Sequence, residues 1–399
     1  MRFPIQITAS TLVSSMGSGI QAHIDAFKAK QSGLKKTVSS FDTKLDAFYG
    51  EVECLPEISL PKHLAPYFCR NHQLAWRALQ TDNFSEQVRR LAHQYGAHRI
   101  GIALGTSTSG ILETEKILAE KETNGAFSNT YHYDATHRMN ALADFCAEAL
   151  NVTGPRMIIS TACSSSAKVF ASASRWIDHD LVDAVVVGGV DTLCLTTIHG
   201  FNALGLISQE IVRPLDQARD GINIGEAGGF MLLEKADPQQ NKIQLSGFGE
   251  TSDAYHISAP HPQGEGAQKA MQQALKMANL SADDIDYLNL HGTGTPSNDL
   301  AESQAVRTVF STPPPLLSST KGFTGHTLGA AGITEAIFCQ IALQEQMALP
   351  NLNLKILDER LSLSPVLDSQ PATIQHCMSN SFGFGGNNAS LVFSLGKHS

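Results

Sequence analysis

The feature that most constrains this chain is a junction that occurs twice, a short strand running straight into a glycine turn. Residues Ile100 to Leu104 (IGIAL) read as a buried strand that enters Gly105-Thr106-Ser107-Thr108. Residues Asp286 to Leu290 (DYLNL) read as a strand that ends in His291-Gly292-Thr293-Gly294-Thr295. An amphipathic helix is expected before each, over Phe84 to Gln94 and Gln268 to Ala278, and Asp183 to Val190 (DAVVVGGV) reads as a strand buried on both faces. Such alternation is the grammar of α/β folds. A second echo follows in the same order: Ser160-Thr161 precedes Ala162-Cys163, and Ser319-Thr320 precedes Lys321-Gly322, each followed by small residues suited to a tightly packed helix. Two echoes in one order suggest an internal duplication. Strand-to-glycine junctions also recur in any α/β protein, and both explanations stand at this point. A boundary is expected near Ala236 to Asn241 (ADPQQN), between strands Gly229–Glu234 and Lys242–Leu245. Residues 30–80 and 106–145 are less periodic and read as insertions capping the core.

With 42% hydrophobic and 17% charged residues in 399, the chain can bury a large core, which excludes disordered and low-complexity classes. Lys plus Arg number 29 against 38 Asp plus Glu, a net charge of −9 that argues against a nucleic-acid-coating protein. The seven cysteines are odd in number and form no C-x-x-C pair, as expected of free thiols in a reducing compartment. The start (MRFPIQITAS) lacks the apolar run of a signal peptide, and no stretch reaches the length of a membrane span. No membrane association and a cytoplasmic location are expected.

The strongest chemical signal is Ile158 to Lys168 (IISTACSSSAK), where a strand reaches Thr161 and Cys163 enters the first turn of a helix. Unpaired N–H groups and the helix dipole there favour thiolate, hence a nucleophile. The plainer reading is a small buried hydrophobe. The other six cysteines read as structural. His291 stands at the carboxyl edge of a strand, where α/β folds place ligands. His326 in KGFTGHTLGAAG opens a small-residue helix, and NSFGFGGNN (380–388) is a glycine loop carrying two aromatics. Gly105 to Ser109 lacks the last glycine of a G-x-S-x-G elbow, and neither a P-loop nor a dinucleotide fingerprint is present. Zinc on Cys163, His291 and His326 lacks a paired-ligand motif, and no metal is expected.

Taken in order, TACSSS with Cys163, HGTGTP with His291, KGFTGHTLGAAG with Lys321 and His326, and NSFGFGGNN resemble the elongating β-ketoacyl-acyl carrier protein synthases. RPLDQARDGINIGEAG and GFGETSDAYHISAP continue the resemblance, which is strong over roughly residues 95–399. It implies the thiolase fold, a five-layered α-β-α-β-α body of two duplicated halves, about 1–238 with cap insertions and 239–399.

The implied reaction is a decarboxylative Claisen condensation of an acyl thioester on Cys163 with a malonyl-acyl carrier protein, in fatty acid or related type II polyketide or aryl polyene synthesis. His291 and His326 would donate to the enolate, and the amides of Cys163 and Phe384 would form the oxyanion hole. Lys321 would orient the site, with Glu302 as its acidic partner. Thr293 and Thr295 match pantetheine-binding threonines, and Phe382 and Phe384 match aromatics that gate the pocket. Thr108 and Phe201 match residues of the acyl channel. No tightly bound cofactor is implied; substrates arrive on the phosphopantetheine of acyl carrier protein. The chain would form a homodimer, or a heterodimer with a chain-length-factor-like homologue, the dimer partner completing the pocket through the segment around Tyr133. Carrier proteins of this kind are acidic, so docking would use a local basic patch at Lys62, Arg70 and Arg77. Asn387 replaces a usual threonine, and Ile222-Asn223 the usual Phe-Val. A thiolase would carry a second cysteine where Phe382 and Phe384 stand, and an initiating enzyme an asparagine at His326. The remaining alternative is a catalytically weak chain-length-setting or partner subunit, which typically lacks the nucleophile that Cys163 provides.

Overall fold

In the computed structural model the chain is described over residues 4–125, 131–237, 240, 242–310 and 313–396. The first half supplies strands β1 (Ile5–Ser14), β2 (Ile100–Gly105), β3 (Arg156–Ile159), β4 (Ala184–Asp191) and β5 (Ala227–Lys235). The second supplies β6 (Gln244–Ser252), β7 (Tyr287–Asn289), β8 (Leu316–Ser318), β9 (His376–Gly383) and β10 (Asn387–Ser394). Their path through the sheet is β8-β7-β9-β10-β6-β1-β5-β4-β2-β3. Within each half the order is therefore third, second, fourth, fifth, first. The second strand pairs in parallel with its neighbours, Ile102↔Arg156 and Ile100↔Ala184 in one half, Tyr287↔Leu316 and Tyr287↔Cys377 in the other. The fourth, fifth and first pair antiparallel in both halves. The halves join where Ile5 and Gln6 pair with Leu245 and Gln244. Both echoes read from the sequence fall at equivalent places, after the second and third strands of each half.

Seven helices build the layers: α1 (Arg70–Leu79), α2 (Phe84–Tyr95), α3 (Ala141–Leu150), α4 (Ser165–Asp178), α5 (Glu265–Ala278), α6 (Pro296–Val309) and α7 (Ala331–Glu345). Alternation along the strands sorts their side chains between faces. Ala184, Val186 and Val190 of β4 join Leu74, Val88 and Phe145 of α1, α2 and α3. Val185 and Val187 point the other way, into a core with Val169 and Phe170 of α4 and Ile333, Ile337 and Phe338 of α7. That core also takes Leu391 and Phe393 of β10, so α4 and α7 form the middle layer between the two sets of strands. Met271 of α5 and Val306 of α6 cover the far face of the second half. The central helices meet backbone to backbone: a Cβ on Gly332 would lie 2.4 Å from the Ala167 nitrogen.

Three expectations change. Residues 70–79 are no cap: α1 packs Leu74 and Leu79 onto β4 and β5 and also buries its polar residues Arg70, Asn71, His72 and Gln73, whose burial their residue types do not suggest. Strand β6 runs on to Ser252, because β10 pairs along its whole length despite its glycines and polar residues. Cys163 does not enter a helical turn. Ala162 turns the chain sharply at φ 52°, and α4 begins only after Ser164.

Candidate active site

The ends of both halves converge on a solvent-open pocket of ≈ 580 Å³ lined by Cys163, His291, His326, Thr293, Thr295, Phe382 and Phe384, with Phe201, Leu206 and Ile222 adding apolar wall. The Cys163 thiol lies 2.9 Å from His326 Nε2. His291 and His326 stand edge to face with ring centroids 5.4 Å apart. The Leu328 amide, 3.2 Å from His326 Nδ1, can only donate, so Nδ1 is the bare nitrogen and Nε2 carries the proton. Lys321 Nζ, 3.4 Å from His291 Nδ1, sets the same tautomer there. Both rings thus present N–H groups rather than lone pairs. Burial, then the Lys321 charge, holds both imidazoles well below their ordinary pKa, which keeps them neutral donors.

Burial likewise pushes the Cys163 thiol up to about 11, against the opposing pull of Lys321 and of the Phe384 and Cys163 amides. The sequence argument for a resting thiolate is corrected here: desolvation outweighs the dipole of a helix that begins two residues later. The Phe384 and Cys163 amides both point at the Cys163 sulfur. One atom each of Cys163, His291 and His326 lie within 4.8 Å of one another, near enough to share a metal ion. Metal ligation through His326 Nε2 would move its proton onto Nδ1, against the Leu328 N–H.

Lys321 is fully buried and makes close contacts with Glu335 Oε1 and the His291 carbonyl. Its ionic partner is therefore Glu335 of α7, and the pairing with Glu302 is corrected. Glu302 accepts from the His291 and Gly292 amides at 2.8 and 2.7 Å and so fixes the turn that carries His291. Burial raises Glu302 and Glu335 each to about 7, with nearby amides opposing in the first and Lys321 in the second. The available signal for Glu335 was a carboxylate early in α7, within a run of small and apolar residues (AAGITEAIF).

Thr293 and Thr295 share a 2.9 Å hydroxyl contact beside the pocket, and Thr295 also caps α6. Phe201 and Phe384 pack at 5.5 Å across the mouth. Thr108 is not brought to this pocket: its hydroxyl is held 2.9 Å from Asp191. Tyr133 is exposed and stacks on His137. Arg70 cannot dock a partner, because it is buried with Nε and Nη2 each 2.6 Å from a Glu226 carboxylate oxygen. Lys62 is exposed and Arg77 half-buried against the Glu53 carbonyl. The unusual Asn387 accepts from Lys168 at 2.9 Å, tying the glycine loop to α4. Asn223 bonds Val212, Ser208 and Glu210, while its carbonyl accepts the His326 amide at 2.7 Å. All seven cysteines are unpaired, and only Cys54 is exposed. Among the described residues no helix is long and apolar enough to cross a membrane.

Residues 2–239 match the family model for the β-ketoacyl synthase N-terminal domain and residues 243–355 that for the C-terminal domain. The chain is 30% identical over 413 aligned positions to 3-oxoacyl-acyl-carrier-protein synthase 2 of Vibrio cholerae, covering 98% of each. It is 40% identical over 261 positions to the mitochondrial 3-oxoacyl-acyl-carrier-protein synthase of Arabidopsis thaliana, covering 60% of this chain and 56% of that one. Among solved structures it resembles the ketosynthase ApeO of Xenorhabdus doucetiae, in complex with its chain length factor ApeC, with TM-score 0.88, 35% identity and 98% of each chain covered. A β-ketoacyl synthase from Burkholderia phymatum superposes with TM-score 0.84 at 26% identity, over 98% of this chain and 99% of that one.

Proposed function

The chain belongs to the β-ketoacyl synthase family, and on that premise we propose how its residues divide the work of a 3-oxoacyl-acyl carrier protein synthase. The observation that carries the reading is the buried trio: a thiol 2.9 Å from a histidine Nε2–H, with a second neutral histidine beside it.

Cys163 attacks the acyl thioester delivered on phosphopantetheine. The new carbon–sulfur bond replaces the old one, and the thiol proton leaves with the departing pantetheine sulfur. The passing oxyanion is met by the Cys163 and Phe384 amides. Malonyl-carrier protein then loses carbon dioxide, and the electron pair moves into an enolate whose oxygen accepts from Nε2–H of His291 and His326. Neutral donors stabilise that charge without giving up a proton, each by about 3 kcal/mol. The carbanion attacks the Cys163 thioester, and collapse releases the β-ketoacyl product and a thiolate that takes one proton from water. Lys321 and Glu335 orient His291, and Glu302 holds its turn. Thr293 and Thr295 take the pantetheine arm, and Phe382 and Phe384 guard the entrance.

No tightly bound cofactor enters this scheme. The partner is an acyl carrier protein together with a second ketosynthase-fold subunit, identical or of the chain-length-factor kind, and Cys163 makes this chain the catalytic half of either pair. Two duplicated halves, 1–238 and 239–399, and a cytoplasmic location complete the proposal. Incubation with acyl- and malonyl-carrier proteins is expected to yield a β-ketoacyl product, with the acyl mass on Cys163 by intact mass spectrometry. Acylation of a Cys163→Ala variant would overturn the assignment.

A further inference from the structure

Asp191 ends β4 and is fully buried. Its carboxylate accepts from the Thr106, Ser107 and Thr108 hydroxyls at 2.7, 2.5 and 2.9 Å and from the Ser107 and Thr108 amides at 2.8 and 2.9 Å. All of these belong to the first glycine turn. A further donor comes from the other half of the chain: the Gly329 amide, 2.6 Å from Oδ2. A Cβ at Gly329 would fall 2.8 Å from that oxygen, so only glycine allows the approach. Gly329 follows Leu328, which is held at φ 52°, a left-handed conformation uncommon for a residue with a branched side chain. It is the Leu328 amide that donates to His326 Nδ1.

We propose that Asp191 is a positioning residue: by clamping Gly329 it holds the Leu328 amide against His326 Nδ1 and so keeps the Nε2 proton aimed into the pocket. The inference rests on the proposed role of His326 as an Nε2–H donor. It adds a reason why the first half's turn and the second half's histidine must be fixed to one another. A carboxylate suits the place because the groups facing it are all donors, and charge-assisted bonds hold them more firmly than neutral ones.

Asp191→Asn tests this, since its amide can keep one oxygen toward the Thr106–Thr108 turn while turning an NH₂ toward the Gly329 amide. Histidine side-chain ¹⁵N spectra, with His326 assigned by its own substitution, are expected to show Nδ1 unprotonated in the native protein and a tautomer mixture in Asp191→Asn. This readout needs no turnover, so it separates failure of the inference from failure of the ketosynthase reading. In the assay, Cys163 acylation by acyl-carrier protein is expected to stay within about twofold, while condensation falls about 100-fold at unchanged KM, the size of loss a small misplacement produces. Ser107→Ala, which removes a hydroxyl lying 3.3 Å from the Gly329 amide, is expected to shift both readouts less in the same direction and serves if Asp191→Asn does not fold. An unchanged His326 tautomer in a folded variant, or parallel loss of acylation and condensation, overturns the proposal.

Discussion

The two halves lay down the same strand order and the same crossover from third strand to central helix, yet they use that crossover differently. In the first half the chain passes from β3 to α4 through one tight elbow and delivers a single group, the Cys163 thiol. In the second, the path from β8 to α7 is longer. It winds through two short turns, Lys321–Thr324 and Leu328–Ala330, and delivers a cation and a histidine. Equivalent positions in a duplicated scaffold bring their chemistry together because α4 and α7 pack against one another at the centre. Duplication therefore supplies convergence, and divergence of the connecting segment supplies different roles. The expected split is nucleophile from one half, donors and field from the other.

The sharpest way to break that split is Cys163→Ala, for which complete loss of covalent acyl-enzyme by intact mass spectrometry is expected. Next come His291→Ala and His326→Ala. Each removes one donor and is expected to lower condensation by about 100- to 1,000-fold while Cys163 still loads, measured as separate half-reactions. Equal loss of loading would mean that the halves do not divide the work.

Glu335→Ala leaves the Lys321 ammonium buried beside Cys163 without its carboxylate. A destabilisation of about 3–5 kcal/mol is expected in denaturant unfolding, the cost of breaking a buried pair.

A smaller effect concerns pH. His23 and His72 in the first half are held down to about 4 by burial, and His291 and His326 in the second are also well below 6.5. Unfolding lets all four take up protons below pH 6.5, so stability is lost as pH falls. Glu302 and Glu335, raised to about 7, act oppositely between pH 4.5 and 7, because the folded state holds protons there that the unfolded state has released. Four groups against two leave a net loss on acidification, and the melting temperature is expected to fall between pH 6.5 and 5. In the alkaline direction, alkylation of Cys163 by iodoacetamide is expected to keep rising from pH 7 to 10, as a thiol displaced to about 11 requires. The mildest change should come from the surface: Lys62→Glu with Arg77→Glu is expected to raise the carrier-protein KM about threefold, more at low salt than at high.

The strand and turn pattern was open to reading because each junction is local. Apolar alternation and glycine turns act over a few residues, and they placed the second strand of each half to within a residue or two. The same locality put Cys163, His291, Lys321 and His326 in short motifs of small residues, where a reactive side chain stands out from its neighbours. Residue pattern alone left duplication open; the repeated strand order shows it.

What the amino-acid sequence determined unaided was thus the kind of element at the strand-to-glycine junctions and the reactive groups at their ends. Tertiary structure alone decided which charges meet and which protons stay. Glu335 rather than Glu302 neutralises Lys321, Arg70 spends its charge on Glu226 156 residues away, and Thr108 answers to Asp191 rather than to the pocket. The resting protonation of Cys163 was settled in the same way. The reason is physical: desolvation and charge pairing depend on everything packed around a group, and those neighbours come from distant stretches of chain that only folding brings together.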